Sequence, residues 1–339
     1  MLRGLSAVVG QANITAVVNT GDDMVLHGLY VSPDIDTVTY TLGGASNHET
    51  GWGLAGESWA VMDALRAFEV ADGGNRLTWF NLGDRDLATH LFRTGRLAGG
   101  ATLSQVTAEV ARRFGVQARL LPMTDSRVET RVTIALGEEV RNFGGLATAL
   151  ADEEPGVRQP VNAAEQAEDG PGWVEVGFQE YFVGFRHSVG VKQVRFSGAD
   201  LARPAPGVLD AIADADVVVI CPSNPIVSIG PVTAVPGIAE AVMERRNDVV
   251  AVSPIIAGRA LKGPADRMLT ELGHEASAAG VARLWAPLAA TLVVDEQDAG
   301  LASEIEAEGM RCVVAPSVMS GPREAANLAR AVLGTGARC

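Results

Sequence analysis

Lysine is almost missing from this chain. Lys192 and Lys262 are its only two, and arginine makes up the rest of the 27 basic residues. Set against 41 acidic residues, that leaves a formal charge of −14. A general nucleic-acid binder needs surplus cations to displace counterions from phosphates, so the charge argues against that class. A phosphate-bearing small ligand is still allowed, because a site is local and can recruit Mg²⁺. The shortage of lysine itself fits a coding bias toward arginine better than any chemistry.

Cysteine is scarce too. Cys221, Cys312 and Cys339 lie far apart and form no C-x-x-C pair. This argues against a disulfide framework and a thiolate zinc site, and makes a reduced cytoplasm the default. No apolar run approaches the roughly 18 residues of a membrane span. The opening MLRGLSAVVGQAN has too short an apolar core for a signal peptide and reads as a helix with no strand before it. Aromatic residues are only 5% of the chain, while glycine numbers 38. That suits tight helix-on-sheet layers more than a sandwich filled with large rings.

Apolar runs at Ile14–Val18, Leu77–Leu82, Ala118–Pro122 and Glu129–Ile134 read as strands, the last by alternation. Helical periodicity marks Leu54–Phe68, with Trp59, Met62, Leu65 and Phe68 on one stripe. It also marks Asp84–Leu97 and Leu103–Phe114, with Thr102 as N-cap of the latter. Val174–Val183 and Val191–Phe196 read as strands paired across Arg186–Gly190. From Pro206 onward, helices alternate regularly with strands at Asp216–Ile220, Val249–Val252, Thr291–Val294 and Arg311–Val314. The expected fold is therefore α/β, a three-layer sandwich with a mostly parallel sheet and helices on both faces. One domain is expected over 1–339. Within it, 137–172 is a polar, flexible insertion and 84–190 a partly helical, substrate-side subregion.

Ligands of open parallel sheets gather at the carboxyl ends of the strands. Three strand ends carry turn formers there: Val17-Val18 before NTGDD, Val217–Ile220 before CPSNP, and Val250–Val252 before Ser253-Pro254. Ordinary turns would look similar, but rigid turns with free backbone N–H groups can also wrap a phosphate. An acidic crest completes the picture. Asp22 and Asp23 follow the first strand, and Asp34 and Asp36 lie close behind. Taken as extended chain, Asp34 and Asp36 face the same way and can share a divalent ion or divide into base and ligand. Helix capping and solvated turns are the bland alternative. In LGDRD, Asp84 can cap the following helix while Arg85 faces a phosphate. His90, one turn on, fits packing better than catalysis. Lys262, before a helix start, is a flexible phosphate partner. His27 and Trp52 are weaker candidates.

In sequence order, the segments NTGDD, HGLYVSPDIDTVTYTL, GWGLAGESW, LGDRDLATHL, RLLPMTD, FQEYF, CPSNPIVSIGP and SPIIAGRALKGPADRM resemble the phospholactate/phosphoenolpyruvate transferases of coenzyme F-420 biosynthesis, the CofD-like family. The GWG and HGL segments resemble its bacterial branch. The resemblance implies a Rossmann-like fold, a cytoplasmic homodimer, Mg²⁺, and a reaction between the deazaflavin Fo and a guanylylated three-carbon acid. In that reaction the terminal ribityl hydroxyl of Fo attacks the phosphorus next to the acid, and GMP leaves. The donor carries phosphoenolpyruvate or 2-phospho-L-lactate.

Several residue roles follow from the same resemblance. Asp36 lies at the deazaflavin, with Asp34 beside it in catalysis. Read from the acidic crest itself, Asp22, Asp23 and Asp34 are expected to hold the metal. Asn81 stands where the family has a lysine that contacts the deazaflavin, and Asp84 and Arg85 follow it. Ser223 and Asn224 are expected near the guanosine diphosphate, and the residues alone add Ser253, at its strand end, and Lys262 as phosphate-side candidates. Family members open with a strand and a GGTGG-type loop before the helix that MLRGLSAVV resembles. The expectation is a chain weakly active or unstable until upstream residues are restored. The alternative is a nucleotide-sugar-binding regulatory protein of the same fold.

Overall fold

The structure is a computed structural model that describes residues 1–47, 51–72, 77–137, 140 and 172–336. Helix α1 (Leu2–Val9) leads into strand β1 (Thr15–Val18), whose alternate residues Ala16 and Val18 are buried. A tight hairpin follows, β2 (Met24–Leu26) and β3 (Leu29–Val31). His27 and Gly28 turn it at φ +53° and +74°, the paired left-handed residues that a two-residue hairpin turn demands.

Helices α2 (Pro33–Leu42), α3 (Ala60–Asp72), α4 (Asp84–Ala98) and α5 (Leu103–Arg113) come next. The Thr102 side chain accepts from the Gln105 N–H, and Gln105 returns the bond in a capping box, so the expected cap is present. Strand β4 (Arg119–Pro122) then runs parallel to β1, with Leu121 opposite Val17.

Strands β5 (Glu129–Ala135), β6 (Trp173–Gly177) and β7 (Val191–Ser197) form an antiparallel sheet in the order β6-β5-β7. This corrects the expected pairing of the last two with each other. Each bonds to β5, whose Thr130, Val132 and Ile134 are buried between them. Residues after Gly177 leave the sheet as well, closing a π-helical turn over Glu180–Gly184.

The remaining parallel strands are β8 (Val218–Ile220), β9 (Val249–Val252), then, past the short hairpin β10 (Ile255–Ile256) and β11 (Arg259–Ala260), β12 (Thr291–Val294) and β13 (Arg311–Val314). They lie in the order β13-β12-β9-β8. All of β9 is buried. Val249 and Ala251 pack with Trp285, Leu292 and Val294, while Val250 and Val252 pack with Val293, Leu328 and Val332. Helices therefore cover both faces of this sheet, which is why its strands are continuously apolar. The architecture is mixed α/β with a parallel sheet, as expected.

Two local expectations fail. Leu77–Leu82 is irregular rather than a strand, although Trp79 and Leu82 bury themselves with Met62. The helix expected from Leu54 starts at Ala60, because Gly51, Gly53 and Gly56 all take positive φ and Leu54 bridges to Ser46. Phe68, expected on its apolar stripe, is 67% exposed. The 137–172 insertion lies, apart from its ends and Val140, outside the described residues. Among the described residues no single helix is long and apolar enough to cross a membrane.

Candidate active site

Strand β1 delivers the chain into the turn Asn19–Asp23. Gly21 is held under its neighbours: a Cβ there would sit 2.6 Å from Thr130 Oγ1 and 2.9 Å from Pro231 Cβ. The Thr130 N–H donates to the Gly21 carbonyl at 2.7 Å, pinning the turn to β5. Asn19 organises the rest. Its Oδ1 accepts from the Gly21 N–H at 2.8 Å, and its Nδ2 donates to Asp34 Oδ2 at 3.0 Å. Asp22 and Asp23 are both buried, and the Oδ1 of each has no hydrogen-bond partner. The second oxygen of Asp23 accepts from Ser32 Oγ at 2.8 Å.

Burial dominates the electrostatics of this turn. It pushes Asp22 well above the ordinary carboxylate range, and the neighbouring charge of Asp34 adds to the effect. It pushes Asp23 up to about 8 against the opposing pull of Ser32 and Arg93. It pushes Asp34 up to about 6 against its bond from Asn19. Crowded, dry carboxylates resist ionisation, and a bound cation reverses that preference.

The expectation that Asp34 and Asp36 share a face is corrected. Ser32-Pro33 opens α2, with Pro33 at its start and both aspartates in its first turn, where a helix N-terminus favours negative charge. Residues two apart on a helix are turned by about 200°, so the two carboxylates point to opposite sides. Asp34 joins Asn19 and Asp22. Asp36, 4% exposed, turns toward α4. There Arg93 grips it with both terminal guanidinium nitrogens, Nη1 donating to Asp36 Oδ2 at 3.1 Å and Nη2 donating to Oδ1. His90 stands between Asp36 and Asp86, with Nδ1 3.7 Å from Asp36 Oδ2 and Nε2 3.5 Å from Asp86 Oδ2. The Tyr40 hydroxyl donates to Asp86 at 2.5 Å.

LGDRD is built into a reciprocal cap. Asp84 accepts from Ser58 Oγ and the Ala60 and Val61 N–H groups, so it caps α3 and not the helix it begins. Glu57 in turn accepts from the Arg85 and Asp86 N–H groups at 2.8 and 2.9 Å and caps α4. The exposed Arg85 guanidinium donates to the Ala55 carbonyl, and exposed Asn81 accepts from Arg66 at 3.2 Å.

At the other strand ends, Asn224 Oδ1 accepts from the Ile226 and Val227 N–H groups and caps the π-helical turn Pro225–Ile229. The Ser223 N–H bonds to the Cys221 carbonyl. Ser253 is buried and spends its hydroxyl on Ile255 in its own turn. Lys262 is exposed, and a Cβ on Gly51 would lie 3.5 Å from its Nζ, so the GWG segment and Lys262 meet. His27 Nε2 is engaged with the Leu77 carbonyl at 2.8 Å. Trp52 stacks edge-on with Trp59.

Sequence reasoning missed Arg93 and Asp86 and gave Asn19 no role. The signal for Arg93 was its place three residues after His90, on the same face of α4.

Residues 1–317 match the family described as 2-phospho-L-lactate transferase CofD. The chain belongs to the CofD family. Similar chains include a phosphoenolpyruvate transferase of Streptomyces griseus, 42% identical over 333 residues that make up 98% of this chain and 93% of the relative. Another is a phosphoenolpyruvate transferase of Kitasatospora aureofaciens, 43% identical over 334 residues, covering 98% and 92%. A crystal structure of protein BH3568 from Bacillus halodurans superposes with a TM-score of 0.53 at 16% identity, covering 98% of this chain and 94% of that one. That likeness shows the fold alone. The resemblance drawn from the sequence motifs is borne out, and this CofD-family chain is an enzyme, a transferase.

Proposed function

We propose that the chain moves a phosphoenolpyruvyl group, or a 2-phospho-L-lactyl group, from a guanosine-diphosphate-activated donor to the ribityl hydroxyl of Fo. The hydroxyl oxygen bonds to the phosphorus that carries the acid, the bond from that phosphorus to GMP breaks, and the hydroxyl proton leaves to a base. This is a step of coenzyme F-420 biosynthesis. Identity of 42–43% to phosphoenolpyruvate transferases over nearly the whole chain favours the enolpyruvyl donor. It favours the transferase over the nucleotide-sugar-binding alternative as well.

The observation that carries the reading is the pair of buried, unpartnered oxygens on Asp22 and Asp23 beside Asp34. Three crowded carboxylates, whose neighbouring guanidinium Arg93 bonds Asp36 instead, fit a hard divalent cation, taken to be Mg²⁺. When bound, that cation supplies charge neutralisation for the diphosphate of the donor. The chain's own residues do the rest. Asn19 and Gly21 fix the turn, and Ser32 orients Asp23. Asp34, the least buried of the three, is the carboxylate placed to take the hydroxyl proton. Asp36 holds α2 in place rather than touching the acceptor. Lys262 and the Ser223-Asn224 turn are assigned to the guanylyl side of the donor.

The test is incubation of the protein with Fo, Mg²⁺ and each guanylylated acid, with product mass and GMP measured together. The expected result is one phosphodiester and one GMP per turnover, faster with the enolpyruvyl donor. No product with either donor removes the transferase reading, and binding of a nucleotide sugar instead supports the alternative.

A further inference from the structure

One cluster looks like a metal site and has not been used as one. Ligand atoms of Asp36, Asp86 and His90 lie within 4.8 Å of one another. His90 is 1% exposed, and its Nε2 has no hydrogen-bond partner. Two carboxylates and an imidazole in a buried place are a common donor set for transition metals. A cation is already there, however. The Arg93 guanidinium, itself 1% exposed, bonds both oxygens of Asp36 and approaches His90 Nδ1 at 3.3 Å. A guanidinium can only donate, so His90 Nδ1 accepts from it and the lone pair a metal would need is taken. Arg93 also keeps its charge at any working pH, so a divalent ion entering the cluster would meet a permanent positive neighbour.

We infer that Arg93 acts as a fixed substitute for a metal ion: it occupies the Asp36–Asp86–His90 cluster, shuts it to divalent cations, and so confines the metal to the Asn19–Asp23 turn. The last clause rests on the proposed function; the closure of the cluster does not. In this role Arg93 and Asp36 are positioning residues. Pinning Asp36 fixes the rotation of α2, and that rotation aims Asp34 at Asn19 and Asp22.

The test uses Mn²⁺ as probe, with stoichiometry read by titration and ligand type by pulsed electron paramagnetic resonance. Wild-type protein should bind Mn²⁺ without nitrogen coupling from histidine. Arg93→Met should gain one further Mn²⁺ per chain with an imidazole nitrogen coupling, and Arg93→Lys, which keeps the charge, should not. Should Arg93→Met fail to fold, Arg93→Gln carries the same expectation. Nitrogen coupling in the wild type would overturn the inference. So would a folded, charge-free variant that binds Mn²⁺ as the wild type does. A failure of the transferase reading would leave these spectra unchanged, so the two ideas can fail separately.

Discussion

Asp34 and Asp36 stand two residues apart and serve opposite sides of one helix. Asp34 accepts from Asn19 at 3.0 Å, while Asp36 is held by Arg93. Their substitutions should therefore diverge. Asp36→Asn leaves a buried guanidinium unpaired and should destabilise the protein by about 3–5 kcal/mol, seen as a large fall in Tm. Asp34→Asn removes a charge that repels Asp22, so Tm of the metal-free protein should hold or rise while metal affinity falls about tenfold or more. Equal losses of Tm in the two variants would contradict the division.

The dry carboxylates set a pH dependence. In the fold Asp34 titrates near 6 and Asp23 near 8, against 3.8 unfolded. The folded chain holds these protons more tightly, so their contribution to stability is complete at low pH and is lost as pH rises through 6 and then 8. Metal binding needs the ionised forms and so grows over the same range. Melting curves in EDTA and in Mg²⁺ should converge at pH about 5 and separate steadily toward about 9, with the EDTA curve falling. An EDTA curve that climbs across that range would mean that these groups are not held protonated.

The reciprocal cap makes Asp84 a structural residue. Asp84→Ala removes the acceptor for the first N–H groups of α3 and should lower Tm. KM for Fo should change little at a temperature where the variant stays folded. A large rise in KM with no change in Tm would instead restore a substrate role for Asp84.

At Gly21 the space for a side chain is missing. Thr130 Oγ1 can swing aside, but the Pro231 ring, 2.9 Å from the added Cβ, cannot. Gly21→Ala should displace the aspartate turn and weaken Mn²⁺ binding by about tenfold or more, a larger effect than its loss of stability. Isothermal titration beside a melting curve separates the two effects.

Lys262 is exposed, and its removal should leave the fold alone. Lys262→Ala is expected to change stability by no more than about 0.5 kcal/mol while raising KM for the guanylylated donor and sparing KM for Fo. If KM for the donor stays put, Lys262 has no part in the site.

Much of the frame was legible because it is written locally. Thr102 and Gln105 announce the start of α5, and the continuously apolar runs at Val249 and Thr291 announce strands covered on both faces. What failed was non-local. Nothing within Val174–Phe196 says that β5 will come between its two strands, since that pairing is decided by burial across a sheet. Leu77–Leu82 has strand-like residues but finds no partner among the described strands. The helical start at Ser32-Pro33 was readable from Pro33 and the acids behind it, and taking it as extended chain put Asp34 and Asp36 on one face.

The sequence by itself determined the family, the succession of parallel strands and their main helices beyond Pro206, and the place of the acidic crest at the end of β1. Each of these follows from side chains in fixed local order. Only the tertiary structure decided how the crest divides. Burial strips water from Asp22 and Asp23, and Asn19 draws Asp34 to them. Arg93, brought in from α4, takes Asp36 away. Desolvation and pairing of charges depend on what lies across space, which a linear pattern does not record.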